Sequence, residues 1–306
     1  MNPEAEPYAW DPHLVAWLVL VMAFVSTMAG HRRLARRGPV STPWTGGQIA
    51  AFAGAGFAAV AALTWPLANL AAHWSLTALV TQRLVLTLAV PSMALLGLPY
   101  NVLQWLTRPA PVDTVLDWCR RPAIAIAVFT VIAVGSLTTG LVHAQASSPV
   151  ARGLIDAVMV AAGLVMWLPV IGRVPGILRL KPVGRFAYLV AQAVVPAFLS
   201  FIYIFSHHPL YDTFARSHLA IGLRPLNDQQ IAGFVSKLTM LFVLMTVGGV
   251  VLARAQRLDE EYGDDEPLVW ADVERQFERA DRRTALPTEP DPTPPDADNG
   301  PAAPDS

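Results

Sequence analysis

Two groups of residues in this sequence have types and spacing that could do chemistry. The first is histidine. His207 and His208 stand side by side in the stretch SFIYIFSHHPLYDTFARSH, residues 200–218, where a long apolar run gives way to polar residues. His13, His73, His143 and His218 lie at comparable exits from apolar runs. Neutral imidazole is a good ligand for copper or zinc, so His207, His208, His143 and His73 are candidate metal ligands. Interfacial histidines are also commonplace without a metal. Consecutive side chains diverge on a helix, so His207 and His208 can share an ion only where the helix has ended. Pro209 favours that ending by pushing the residue before it toward an extended conformation. The second group is charged. Arg83, Asp156 and Lys237 interrupt runs that are otherwise apolar. Charges in such runs usually face the interior of a helix bundle and pair with one another, so Asp156 is expected to pair with Arg83 or Lys237. Such a cluster could hold an anion, a proton or a substrate head group, or it could serve only to fix helix packing.

The elements that must position these residues are membrane helices. The chain has 306 residues, is 54% hydrophobic and 15% charged, and has a mean hydropathy of +0.42. Apolar runs of this length read as transmembrane spans. Seven are expected, at roughly 13–30, 48–70, 76–98, 122–141, 150–171, 186–206 and 229–253. Pro66, Pro91 and Pro196 fall inside them, and the alanines and glycines around Gly54 and Gly56 would allow close helix packing.

The net charge of −1 hides a segregation. Arg32, Arg33, Arg36 and Arg37 occupy one loop; Arg108, Arg120 and Arg121 another; Arg173, Arg179, Lys181 and Arg185 a third; Arg254 and Arg257 follow the last span. The alternate loops carry only Arg216 and Arg224, with Arg152 at the mouth of the fifth span. The positive-inside rule therefore places residues 1–12 outside and the C-terminus in the cytoplasm. In that frame every histidine except His31 lies toward the outer side, and Arg83, Asp156 and Lys237 form one layer roughly 9–12 Å below it at ~1.5 Å per residue. The fold class is thus an all-α, polytopic membrane bundle: a short extracytoplasmic N-terminus, a seven-helix domain over 13–257 and a cytoplasmic tail over 258–306. The loop at 99–121 is expected either on the inner membrane surface, with Val112, Val115, Leu116 and Trp118 as a short apolar face, or as a packed connecting helix with no recognition role. In the tail, residues 267–283 read as an amphipathic helix, with Trp270, Val273 and Phe277 on one side, and the Pro- and Asp-rich remainder as disordered. The single cysteine, Cys119, excludes an intramolecular disulfide and a cysteine-based metal cluster. No Gly-x-Ser-x-Gly, His-Glu-x-x-His or phosphate-loop motif is present, so an enzyme is not expected.

The segment HPLYDTFARSHLAIGLRPLNDQQIAG, residues 208–233, together with VPSMALLGLP and AAGLVMWLPVIG at the ends of the third and fifth spans, resembles the CtaG-type cytochrome c oxidase assembly factors. Asp228, Gln229 and Gln230, which open the seventh span, carry the most specific part of the match. The resemblance covers roughly residues 10–255. It implies a multi-pass protein of the bacterial plasma membrane that contacts lipid and oxidase subunits and helps deliver copper to a haem–copper oxidase. Nucleic acid is not an expected partner. The family pattern also implies histidines in the outer halves of the third, fourth and fifth spans, and this sequence departs from it there. LVTQR (Leu79–Arg83) stands in the third span, RGLID (Arg152–Asp156) in the fifth, and Ser136 and Leu137 fall where a Trp-His pair is expected in the fourth. Arginine cannot act as a metal ligand, so the buried family site is not expected to hold copper in this chain. Two readings follow. One is a non-enzymatic assembly or accessory factor, with any copper site moved to the outer histidines. The other is a small-molecule or ion-handling protein built on Arg83, Asp156 and Lys237.

Overall fold

The computed structural model describes residues 14–35, 44–119, 121–174 and 180–263, together with Glu274 and Phe277. Residues 1–12 and most of the expected tail helix lie outside the described residues; Glu274 and Phe277 are helical. Among the described residues the regular structure is entirely helical. The helices are α1 (Leu14–Ala35), α2 (Gly46–Leu63), α3 (Leu67–His73), α4 (Leu76–Leu84), α5 (Val90–Gly97), α6 (Tyr100–Leu106), α7 (Ala110–Cys119), α8 (Pro122–Gly135), α9 (Thr139–Ser147), α10 (Pro149–Ile171), α11 (Pro182–Phe205), α12 (Ser217–Ile221) and α13 (Pro225–Gly263). A π-helical turn, Val85–Ala89, joins α4 to α5. The chain divides into two compact units at Ala255/Gln256, and the bundle described below belongs to the first.

Five stretches are long and apolar enough to cross a membrane: α2, the continuous α4–α5 helix, α10, α11 and the first 33 residues of α13. A sixth is formed if α8 and α9, bent by 65° across a short break, count as one span. Helix α1 has a shorter apolar stretch, Leu20–Gly30. The span expected at 48–70 is interrupted: α2 stops at Leu63 and α3 restarts at Leu67, with a cis peptide bond between Trp65 and Pro66. The α4–α5 and α10 spans are the most buried and α13 the least, so the first two form the centre of the bundle.

Their contact shows how a proline is absorbed inside a membrane helix. Pro91 has no N–H to give to the carbonyl four residues back, Thr87. Trp167 of α10 donates its indole Nε1–H to that carbonyl instead (3.2 Å). The helices approach this closely because position 163 is glycine: a Cβ there would lie 2.5 Å from the Thr87 carbonyl oxygen and 2.6 Å from Pro91. Helix α2 packs on α5 in the same manner, with Gly97 against the Phe52 backbone and Gly54 against the Met93 side chain. Gly56 behaves differently from the expectation, because a Cβ there would meet nothing within 4 Å. Helix α7 is amphipathic as expected, with Val115 and Trp118 exposed, Leu116 half-buried and Cys119 buried.

Candidate functional site

One end of the bundle gathers most of the buried polar side chains among the described residues. The organising feature is the break between α8 and α9 at Ser136–Thr138, within the expected fourth span. A helix that stops there leaves carbonyls without intrahelical partners, which is costly away from water. Two side chains from elsewhere satisfy them. Arg83, on α4, donates from Nη1 to the Ser136 carbonyl (2.7 Å) and to Ser136 Oγ (2.9 Å). Tyr211, in the loop after α11, donates its hydroxyl to the Leu137 carbonyl (2.6 Å). A guanidinium on the last carbonyls of α8 also meets the negative end of that helix's dipole. The second Arg83 nitrogen, Nη2, donates to Gln145 Oε1 on α9 (2.8 Å), so one arginine ties both halves of the broken helix to α4.

Arg152 forms a second tie. It is buried on the first turn of α10, donates to the Gln145 carbonyl (3.4 Å) and lies 3.1 Å from His73 Nε2. A guanidinium can only donate, so His73 Nε2 accepts and the imidazole is neutral with its proton on Nδ1. Asp156, one turn along α10, is 8% exposed and feels the charges of Arg83 and Arg152, but it makes no ion pair and accepts no hydrogen bond among the described residues. The expected pairing of Asp156 with Arg83 or Lys237 is therefore not what the structure contains: Arg83 is bound by neutral acceptors. Lys237 lies on the exposed side of α13 with Nζ 4.0 Å from the centre of the Phe201 ring, a cation–π contact on the bundle exterior. An ammonium can lie against the neighbouring helix in this way and need not turn inward.

The segment opening α13 is the other half of the arrangement. Asp228 is fully buried, and its carboxylate accepts from Ser75 Oγ (2.9 Å), the Leu76 N–H (2.7 Å) and the Thr77 N–H (3.2 Å). It thus caps the N-terminus of α4, where a negative charge is favoured. The Thr77 hydroxyl returns a bond to the Asp228 carbonyl (2.8 Å). Gln229, also buried, accepts from the Leu210 N–H through Oε1 (2.7 Å), and its Nε2 reaches the Tyr203 and His208 carbonyls. Tyr211 is in turn 2.7 Å from the Tyr203 hydroxyl. Tyr211 has given its own proton to Leu137, so Tyr203 is the donor in that pair. One turn on, Ala232 is fully buried and a Cβ at Gly233 would lie 2.8 Å from the Ser200 carbonyl, so α13 crosses α11 in close contact there. Gln230 is only half-buried.

These contacts run from α3 to α13 and place Tyr211 of the 206–224 loop on the broken helix. A model of the cytochrome c oxidase caa3 assembly factor family matches residues 14–257. The chain belongs to that family. No curated protein and no solved structure matched it. In this family member the three positions singled out for their departure from histidine, Arg83, Ser136–Leu137 and Arg152–Asp156, are neighbours in space. Arg83 bonds Ser136 directly, and Arg83 and Arg152 share Gln145.

The candidate metal ligands are not brought together in this way. His207, His208 and His143 are exposed, and His73 is half-buried against Arg152. No group of three or more His, Cys, Asp or Glu with metal-binding geometry occurs among the described residues. Sequence reasoning missed Gln145, Tyr211 and Ser75 as members of the polar cluster. Ser75 carried a usable signal, a serine directly before an apolar run, and its Oγ also accepts from the Ala78 N–H (3.1 Å).

Proposed function

We propose that this chain is a multi-pass plasma-membrane protein that assists assembly of a bacterial cytochrome c oxidase by binding oxidase subunits, and that its buried polar layer holds its own helices in place without copper. In this reading α1 and the bent α8–α9 pair each cross the membrane, giving seven spans. The N-terminus and the 206–224 loop then face outward, and the arginine-rich loops face the cytoplasm. The observation that carries the reading is the family match over residues 14–257 combined with the chemistry at Arg83, Ser136 and Arg152. Copper is the cargo that the family resemblance implies, and the buried residues do not suit it. Arg83 and Arg152 can only donate, and the one neutral imidazole near them, His73, already uses Nε2 as an acceptor. A copper contribution rests instead on the exposed pair His207 and His208, beside which His143 is a further exposed imidazole at the same end.

The rival ion-handling reading loses Lys237 from its polar layer, since that side chain lies on the bundle exterior. The assembly role is tested by deleting the gene in its host and measuring haem–copper oxidase activity and the reduced-minus-oxidised spectrum of the membranes. Loss of both, restored by the wild-type gene, supports the reading; an unchanged oxidase rejects it. The copper branch is tested by titrating the purified chain in lipid with Cu(I) against a competing chelator, beside a His207→Ala/His208→Ala variant. Binding that disappears in the variant places the cargo at the pair. Binding no stronger than background makes the chain an assembly scaffold without copper.

A further inference from the structure

Beyond the polar cluster, α1, α2, α5, α6, α7 and α10 line a half-open chamber of about 880 Å³. Among the described residues its walls are apolar apart from Thr27, Thr107 and Asp156, and Asp156 is the only ionisable group lining it. The chamber exists because α2 is held on α5 by the Gly54 and Gly97 contacts and faces α10 with small residues. Ala55, Gly56 and Ala59 of α2 stand opposite Gly153 and Ala157 of α10, and no large side chain fills the gap. Along α10 it runs from Gly153 to Leu168, about 22 Å at ~1.5 Å per residue. One leaflet of a ~30 Å hydrocarbon core is about 15 Å deep, so the space is longer than a leaflet.

At one end stands a carboxylate that is 8% exposed, lines the space and accepts no hydrogen bond among the described residues. A carboxylate that faces an apolar space is poorly solvated there, so an occupant that supplies a donor is favoured. The neighbouring charges select which donor. Arg83 and Arg152 already act on Asp156 by Coulomb attraction, so an ammonium head would be repelled by two guanidiniums. A phosphate head would meet the Asp156 carboxylate and an otherwise apolar wall. A neutral hydroxyl satisfies both conditions.

We propose that this chamber binds a neutral lipid alcohol, its chain along α10 and its hydroxyl donating to Asp156. The test uses the full chain in phosphatidylglycerol nanodiscs, with radiolabelled geranylgeraniol as the probe and native mass spectrometry to identify retained lipids. Saturable binding at one site is expected. The methyl ether of the probe, which has no proton to donate, binds about tenfold or more weakly, as does the alcohol to Asp156→Leu. Gly56→Leu intrudes on the chamber and weakens saturable binding while the melting temperature holds, because the added Cβ meets nothing within 4 Å. Asp156→Asn, which keeps the side chain's size and an acceptor oxygen, guards against misreading a folding defect: it binds more tightly than Asp156→Leu. Lys237→Gln, outside the chamber, leaves binding unchanged. Three results overturn the proposal. These are non-saturable partitioning, binding indifferent to both Gly56→Leu and the methyl ether, and a phospholipid retained in the chamber that the alcohol does not displace.

Discussion

Asp228 is the residue most easily mistaken for a functional carboxylate, because it opens the most specific motif in the sequence and is completely buried. The structure makes it a helix cap, and the consequence can be worked out. Replacing Asp228 with alanine strands the Leu76 and Thr77 N–H groups and removes the partner of the Ser75 hydroxyl. A hydrogen bond to a charged group contributes about 1.5–3 kcal/mol, and a buried donor left unpaired costs about 1–3 kcal/mol. Counting the two backbone donors and the lost favourable dipole interaction, Asp228→Ala should destabilise the bundle by about 3–5 kcal/mol. Asp228→Asn keeps one acceptor but turns an amide donor toward a donor, and should cost roughly half as much, about 2 kcal/mol. Ser75→Ala alone removes the ordinary N-cap of α4 at about 1 kcal/mol, and in the double variant the two losses should fall short of additivity by about 1 kcal/mol. The assay is unfolding in mixed lipid–detergent micelles by SDS titration, read by far-UV circular dichroism, with oxidase activity of complemented cells measured in parallel. The reasoning fails if Asp228→Asn unfolds with the wild type yet abolishes complementation, for then the carboxylate acts on a partner and not on α4.

The same accounting yields three further outcomes. Arg83→Met leaves the Ser136 carbonyl and Gln145 Oε1 without donors, so it should destabilise by about 2–4 kcal/mol after allowing for relief of the buried charge, and proteolysis should begin within residues 136–147. A thermal melt no lower than wild type would contradict the role given to that arginine. Gly163→Val forces a side chain into the Thr87 carbonyl and the Pro91 ring, and overpacking of this kind costs about 1–3 kcal/mol or more, whereas Gly56→Ala should be nearly silent; comparing the two melts checks the contrast. Burial raises the Tyr211 hydroxyl above its ordinary value of 10.0. The folded state thus keeps this proton where the unfolded chain loses it. Its contribution to stability is complete below pH 10 and is lost as pH climbs from there through the folded value. Alkaline unfolding curves of wild type and Tyr211→Phe should therefore converge above pH 10, and parallel curves would refute this.

How much was legible beforehand can be traced residue by residue. The stretches later found as α4–α5, α10 and α11 were readable because a hydrophobic run of membrane length has few alternatives, and the α7 face was readable from its apolar spacing. The interruptions were readable only in part. Pro66 signalled trouble in the second span, and the cluster Gly135, Ser136, Thr138, Thr139 and Gly140 was a local signal that was passed over; the partners of its carbonyls, Arg83 and Tyr211, are remote in sequence. Arg83 and Asp156 are near enough to act on one another, as their positions suggested, but the expected pairing was not found. Opposite charges at one depth suggest an ion pair, yet depth says nothing about azimuth. Lys237 lies on the exposed side of its helix, against Phe201. Arg152 was assigned to the span mouth and proves to be a buried member of the cluster.

Guanidinium chemistry explains how the layer is held together. A metal ion held by histidines from three spans would tie those helices together by coordination. Arg83 makes comparable connections with hydrogen bonds, joining α4 to the end of α8 through Ser136 and to α9 through Gln145. Arg152 then links α10 to α9 and α3 through Gln145 and His73. Because a guanidinium carries several donors in a rigid plane, two arginines can cross-link five helical segments with neutral acceptors alone. That leaves Asp156 balancing charge at a distance, with its oxygens free on the side of the apolar chamber. In this chain, therefore, the connection between helices and the capacity to bind something at this depth are carried by different side chains, whereas coordination to one metal ion would have joined them in the same atoms.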